Sequence, residues 1–600
     1  MDVLRKLFSL LTRRERRNLY ILFVAVLLMA SLQVASVASI MPFLSVASDP
    51  SVIQENEYLR WAYTTLGFDD DRSFLIALGL GALTVLVVSN LFIILTRWAM
   101  EHYSWGRNHS LSRRLLRSYL YRPYEYFLTR NSSELGKNIL EEVKEVTDQM
   151  LKPTLRGGAK AVVALFIVGF LVYFDPIVAL MVTVVLGAAY GSIYLLVRRQ
   201  LDKRGEARVE ANTKRYQFVG EAFGGIKEVK IQGKEEAFLD LYDDPSERYA
   251  WNQALYRVIK RAPRYIIEMV AFGGIILIAV YLIAVQESIQ QVIPVLGLYA
   301  FAGYRLLPAL QEAFHGLASA RFNIAALNKL HRDLQGLSKA DTPASGESGE
   351  TSAPPLVLGE ELALREVSYT YPDANRPAIK DLSLTVPARS MVGFVGKTGS
   401  GKTTAVDLIL GLLRPQAGEV TIDGVPLRTD NLRRWQRTLG YVPQHIYLSD
   451  DTVARNIAFG VAKDQIDTEA VRKAARRAHI LDFIEQDLPN RWETVVGERG
   501  VKLSGGQRQR IGIARALYHE PSVLVFDEAT SALDQSTEAS VMEAIYDLEG
   551  EQTILIISHR LSTVQRADNI FMLEDGRKVG EGRYEELLEE HSKFRSMALS

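Results

Sequence analysis

The sequence predicts an α-helical transmembrane domain of six helices with long cytoplasmic extensions, fused to an α/β domain. Three observations carry that expectation. Six long apolar runs fall before residue 312; charge crowds the remainder of the chain; and in that remainder short apolar strands alternate with helices around one Gly-rich loop. The averages hide this split, because 48% hydrophobic and 23% charged over 600 residues looks like an ordinary globular chain. Lys+Arg 70 against Asp+Glu 70 gives a formal net charge of +0, which excludes a nucleic-acid binder built on a basic field. With Cys 0, a disulfide framework, a thiolate metal site and a catalytic thiol are excluded as well.

A membrane-spanning helix needs about 20 mostly apolar residues. The runs are 19–43, 74–95, 159–174, 177–197, 265–285 and 292–310, with Asp175-Pro176 as a tight turn between the third and fourth. A basic start and small residues around 35–39 loosely fit a cleaved signal, but the first run is too long for a signal core. Lys and Arg are rich in the N-terminal segment and in the loops after the second and fourth runs. The loop after the first run is acidic, and the one after the fifth has Glu287 and no base. Lys and Arg mark the inner side, so both termini are expected in the cytoplasm. The loops 101–150 and 201–262 carry helical apolar spacing, so the membrane helices are expected to run on into the cytosol. Short transverse helices fit at the breaks 123–135 and 221–229. On the outside, 51–66 reads as an amphipathic helix, either a lid on the helix ends or a contact for lipid or substrate.

The stretch 336–355 has the Gly, Ser, Pro and Glu content of a flexible linker. It divides a membrane domain, 1–335, from a second domain, 356–600. Beyond it, the apolar strand 391–395 runs into Gly396-Lys397-Thr398-Gly399-Ser400-Gly401-Lys402-Thr403, and a helix follows from Thr404. This is the G-x-x-x-x-G-K-T phosphate loop in its strand-loop-helix setting. Its glycines let backbone N–H groups close around phosphate oxygens, and the helix N-terminus adds positive potential. Lys402 is expected to reach the β and γ phosphates, and the Thr403 hydroxyl to ligate Mg²⁺. A second phosphate site is expected at Ser504-Gly505-Gly506-Gln507, where two glycines in a first helical turn leave amides bare for an anion. The strand 523–526 ends in Asp527-Glu528: one carboxylate suits Mg²⁺, and the other suits orienting and deprotonating the attacking water. Residues 531–534 (SALD) follow, and the strand 553–557 ends at Ser558-His559, where His559 is a candidate γ-phosphate contact.

With these motifs in this order, the second domain resembles the nucleotide-binding cassette of ATP-binding cassette (ABC) transporters, an α/β P-loop NTPase, over essentially all of 356–600. The resemblance implies that Tyr371 stacks on adenine, that Gln444 contacts Mg²⁺ and signals to the membrane domain, and that Glu498 lies in a loop facing that domain. The membrane half resembles the six-helix exporter type, with coupling segments near 124–133 and 221–230. One membrane domain with one cassette is half a transporter, so the resemblance implies a homodimer in which Ser504 of one chain completes the Lys402 site of the other. It also implies ATP and Mg²⁺ as cofactors, the bacterial inner membrane as location, and no nucleic-acid partner. Segments such as YEYFLTRNSSELGKNIL look most like bacterial flippases of the lipid-linked oligosaccharides used in protein N-glycosylation. Export of another lipid, of the lipid A type, or of hydrophobic drugs is the alternative, and an ATP-gated channel on the same scaffold is a third. Charges at membrane depth are candidates for function. Arg97, Arg264 and Arg305 are therefore the candidate ligands for a phosphate or pyrophosphate headgroup, although Glu268, one turn past Arg264, is placed to neutralise it.

Overall fold

The computed structural model describes residues 2–174, 176–285, 289–335, 353–530 and 535–598. Asp175, Glu287, most of the linker and the 531–534 segment lie outside the described residues. The chain divides into two compact units, Met1–Arg122 with Arg130–Thr342, and Pro123–Thr129 with Pro343–Ser600. Sequence order alone assigns 123–129 to the membrane half, whereas in the structure this short segment clusters with the second unit.

The described residues of the first unit form helices joined by short turns. Three stretches among them, Arg13–Ser48, Asp71–Leu120 and Ser132–Tyr173, are long and apolar enough to cross a membrane. The helices Pro176–Gly224, Glu235–Val285 and Ile289–Phe322 cover the fourth to sixth apolar runs. At about 1.5 Å per residue, helices of 50, 49 and 51 residues far outreach the roughly 30 Å hydrocarbon layer, so each runs well beyond it. The first span breaks at Ser39. Pro42 has no N–H to offer the Ala38 carbonyl, and the chain restarts there as Ile40–Ser48. Short helices sit at the two expected breaks, Tyr124–Leu128 and Ser132–Lys137 at the first and Ile226–Gln232 at the second. Two π-helical turns, Asn138–Glu142 and Glu145–Leu151, lead into Lys152–Phe174, a detail that no sequence pattern announced.

That last helix crosses Ile289–Phe322 at two facing glycines. A Cβ on Gly157 would lie 2.7 Å from the Glu312 carbonyl, and one on Gly316 2.7 Å from the Pro153 carbonyl. The backbones are in contact, which brings side chains one turn away on each helix into a shared wall. Further along the unit, charge is fully buried. Arg208 meets Glu142 at 3.1 Å and Glu145 at 3.8 Å, and Lys137 meets Glu142 at 3.1 Å. Arg208, Lys137 and Glu142 are all buried and pin the helix Pro176–Gly224 to the first π turn.

The second unit has two sheets. Four antiparallel strands run in the order β2-β1-β4-β5: Ile379–Pro387, Glu361–Tyr369, Ala417–Ile422 and Val425–Pro426. Six more run in the order β10-β9-β3-β8-β7-β6. There β9 (Asn569–Glu574), β3 (Met391–Val395), β8 (Thr553–Ile557), β7 (Val523–Asp527) and β6 (Leu439–Val442) are parallel, and β10 (Arg577–Gly582) is an antiparallel edge. Every residue of β3, β7 and β8 is buried. Alternate side chains serve two cores, with Met391, Leu524, Phe526, Ile554 and Ile556 in one and Val392, Phe394, Val525, Leu555 and Ile557 in the other. Strands covered on both faces read as continuous apolar runs, as these do.

The buried charge cluster yields a stability prediction. Arg208→Met removes the cation that faces Glu142 and Glu145, and stranding buried carboxylates costs about 3–5 kcal/mol. Thermal unfolding of purified protein should shift down by several degrees, and Arg208→Lys should recover part of the loss. Unaltered melting of Arg208→Met would show that the cluster is not holding these helices.

Candidate functional site

Open parallel sheets bind ligands outside the carboxyl ends of their strands, and four of the sequence-singled groups hang there. β3 leads into the phosphate loop, β6 into Gln444, β7 into Asp527-Glu528 and β8 into Ser558-His559. The loop is shaped by glycine. Gly396 (φ 146), Gly399 (φ 82) and Gly401 (φ 103) have positive φ. A Cβ on Gly396 would strike the Leu573 carbonyl at 2.3 Å, whereas one on Gly399 would meet nothing within 4 Å because it faces the loop's open mouth. The helix Lys402–Ile409 starts directly behind Gly401. Lys402 is buried, and its ammonium donates back to the Gly396 carbonyl at 2.9 Å and the Lys397 carbonyl at 3.2 Å, so it lies along the cradle a phosphate would enter. Burial lowers its pKa, against the nearby charges of Glu528 and Asp527. Ser400 is buried beneath the loop. Thr403 and Thr404 follow in the first turn, and the Tyr371 hydroxyl lies 3.1 Å from Thr404 Oγ1. The Tyr371 ring sits edge-on to Tyr369, with centroids 5.1 Å apart at 88°, so the expected adenine platform stands beside the loop.

Opposite the loop, three residues converge. Gln444 Nε2 donates to Glu528 Oε2 at 2.7 Å, and His559 Nδ1 lies 3.5 Å from the same oxygen. Glu528 has φ 46, a left-handed conformation that a side chain adopts only when held. Its N–H donates to the Ile557 carbonyl at 3.0 Å, and Ser558 N–H donates to the Phe394 carbonyl at 3.1 Å, so the sheet itself fixes both ends of the group. Asp527 is buried next door and accepts from the Tyr441 hydroxyl at 3.2 Å. Burial raises its pKa, with the Glu528 charge adding to the effect. A carboxylate, a threonine hydroxyl and a glutamine amide oxygen are the donor types that suit a hard divalent cation. Thr403, Gln444 and Asp527 are therefore the residues that would hold Mg²⁺.

Ser504 caps the helix Gly505–Leu517 in a reciprocal box: its Oγ accepts from Gln507 N–H at 3.2 Å, and its own N–H donates to Gln507 Oε1 at 2.8 Å. The Gln507 amide is therefore occupied by the cap that Ser504 provides. Gly505 and Gly506 remain the anion-facing candidates. Ser504 and Gln507 bond to each other, not to the Lys402 loop. Glu498 is exposed at the start of the single turn Glu498–Gly500.

Of the three arginines in the membrane half, the structure separates one from the others. Arg264 is exposed and pairs with Glu268 at 2.6 Å, so its charge is already matched. Arg97 lines a small recess of about 30 Å³ together with Arg156, Lys160 and Glu312, under Met29, Ile93 and Met100. Lys160 feels the charges of both Arg97 and Arg305, and Arg305 is half-buried. Arg156 and Lys160 were missed from sequence. They sit one turn apart where the third apolar run begins, and that (i, i+4) spacing was the available signal. Arg156 also pairs with Glu101.

One residue behind the loop makes the site pH-sensitive. Asp407, on the helix Lys402–Ile409, is pushed from 3.8 up to about 7, first by burial and then by the Asp527 charge. A carboxyl raised in the folded state keeps its proton while the unfolded chain has released it, so stability falls as pH rises from about 4 to about 7 and stays lower above. Nucleotide-free Asp407→Asn should melt higher than the unaltered protein at about pH 8, and the gap should close towards about pH 5. A gap independent of pH would mean that Asp407 is not the titrating group.

Comparison with known proteins agrees with this geometry. Residues 379–531 match the family described as ABC transporter, and residues 18–302 the ABC transporter transmembrane region. The chain is 30% identical over 484 residues to the ATP-dependent lipid A-core flippase of Alkalilimnicola ehrlichii, covering 80% of each protein. It is 33% identical over 482 residues to the same-named protein of Cupriavidus metallidurans, covering 78% of this chain and 77% of that one. Its fold is similar to that of a bacterial Atm1-family ABC exporter with ATP bound, with a TM-score of 0.78 and 23% identity over 97% of both chains. The chain belongs to the ABC transporter family, as an exporter half-transporter whose cassette hydrolyses ATP to drive transport across a membrane.

Proposed function

We propose that this exporter flips an anionic, phosphate-bearing lipid of the lipid A class between leaflets of a bacterial inner membrane, as a homodimer with both termini in the cytoplasm. The recess lined by Arg97, Arg156 and Lys160 carries this reading. A cluster of cations beside Glu312, which meets His315 at 3.6 Å, and Glu101, which holds Arg156, at the edge of an apolar layer suits a phosphate headgroup whose acyl chains stay in the bilayer. Guanidinium groups bind phosphate through paired N–H donors, and the Lys160 ammonium adds a point charge. The proteins named lipid A-core flippases, similar to this chain over more than three quarters of its length, favour lipid A over the lipid-linked oligosaccharide that the sequence first suggested. Both lipids offer phosphate to the same cations.

In the cassette, the Gly396–Thr403 loop and Lys402 hold the ATP phosphates, and Tyr371 faces the base. Glu528 orients the attacking water and takes its proton. Gln444 and His559 hold the Glu528 carboxylate on the phosphate side of the sheet. Mg²⁺, when bound, offsets charge on the phosphate oxygens. Ser504, Gly505 and Gly506 of a second copy complete the nucleotide sandwich, so closure requires the γ-phosphate and opens when it leaves.

The test is flipping of fluorescent lipid A in liposomes, on matched amounts of folded protein. Arg97→Gln combined with Lys160→Gln should reduce flipping at least about tenfold, as expected for losing two charge-assisted bonds of about 1.5–3 kcal/mol each, while basal ATP hydrolysis stays near normal. Unchanged flipping would remove the recess from the transport path. Flipping of a polyprenyl-pyrophosphate oligosaccharide but not of lipid A would replace the proposed substrate and keep the site.

A further inference from the structure

The segment between the first two membrane helices holds a second, unassigned surface. Two short helices, Val52–Glu55 and Glu57–Thr65, are packed onto the membrane helices by a small core. Val46, Ile53 and Phe74 are buried there, with Leu59, Ala62, Tyr63 and Phe68 against them, and Tyr63, Phe68 and Phe74 meet edge-to-face or tilted at 5.2–6.3 Å. Both ends are fixed: Asn56 caps the second helix through Tyr58 and Leu59 N–H, and Asp70 caps the long helix that follows through Ser73 N–H. The rotation of Glu57–Thr65 about its axis is thereby set, and its faces can be read.

Three stripes run along it. Leu59, Ala62 and Tyr63 face the small core. Glu57, Arg60 and Thr64, at i, i+3 and i+7, form a polar stripe. Between them Tyr58, Trp61 and Thr65, again at i, i+3 and i+7, form a third stripe, with Tyr58 84% and Trp61 67% exposed. A helix on a water-facing surface needs only the first two. The aromatic stripe borders the core side, next to helices that enter the membrane within a few residues at Val46 and at Phe74.

We propose that the Tyr58–Trp61–Thr65 stripe lies in the interfacial layer of the bilayer, on the face where this segment emerges, and ties the helix ends to the lipid surface. The residue types fit, because Trp and Tyr prefer the headgroup level, where an apolar ring and a polar edge are both satisfied. The area also argues for lipid rather than a second copy of the chain. Two aromatic side chains cover about 150–250 Å² each, well short of the about 800 Å² per partner that a stable protein interface buries. The acidic residues Asp69, Asp70 and Asp71, which follow the helix in the same short segment, favour a zwitterionic surface over an anionic one.

The absence of cysteine from the whole chain makes the test direct. Four single variants, Trp61→Cys, Thr65→Cys, Arg60→Cys and Thr64→Cys, are spin-labelled in the full-length protein and reconstituted in phosphatidylcholine–phosphatidylethanolamine vesicles. Collision with oxygen, which partitions into lipid, is compared with collision with a water-soluble nickel chelate. Labels at 61 and 65 should show an oxygen-to-nickel ratio several-fold above those at 60 and 64. Equal ratios at all four positions would place the stripe in water and overturn the proposal. Labels at 61 and 65 shielded from both reagents would overturn it as well, in favour of protein covering the stripe.

Discussion

Burial on both faces of β3, β7 and β8 leaves polar groups of these strands one place to go, their carboxyl ends, and the chemistry of the molecule depends on that constraint. Each of the three strands gives alternate residues to two separate cores, so none of them can slip by one residue without turning a whole face inside out. The register is therefore rigid. Glu528 takes a left-handed backbone conformation because its N–H is tied to Ile557 of the neighbouring strand, and His559 follows from the next residue but one of that strand. Gln444 arrives from β6 on the far side and closes on the same carboxylate oxygen. A water-activating group assembled this way is set by sheet geometry before any nucleotide binds.

The membrane unit solves a different problem with a different device. Its helices are long, and their positions relative to one another come from a few close contacts. The glycine crossing at Gly157 and Gly316 brings Arg156 and Lys160 up to Glu312, and the buried Arg208–Glu142–Lys137 cluster locks the extension further along. The first contact brings the walls of the recess together, and the second fixes helices further along the unit. The second uses charges that are costly to bury alone and tolerable only when paired.

What could be read from sequence follows this division. The cassette was legible because phosphate chemistry demands particular residues at particular short spacings. Asp527, Glu528 and His559 stand at or just past strand ends, and Lys402 opens the helix behind the phosphate loop. Ser504 reads as a helix N-cap from its residue type, and the structure adds the reciprocal bond from Gln507 that completes a capping box. The membrane site was legible only in part. A run of apolar residues says that a helix crosses, not which face looks inward, so Arg97 was found for its depth while Arg156 and Lys160 were missed. Arg264 was also singled out for depth, and the structure shows its charge already matched by Glu268. The segment Pro123–Thr129 belongs to the second unit although its neighbours on both sides belong to the first, which sequence adjacency cannot reveal.

The account stands on Glu528 as the group that activates water, held by Gln444 and His559 at the ends of the parallel strands. Single-turnover ATP hydrolysis by Glu528→Gln measures this most directly, because glutamine keeps the shape and the contact but cannot take a proton. The account predicts a chemical step slower by about 10²–10⁴ with ATP binding retained. Hydrolysis at near the unaltered rate would contradict it.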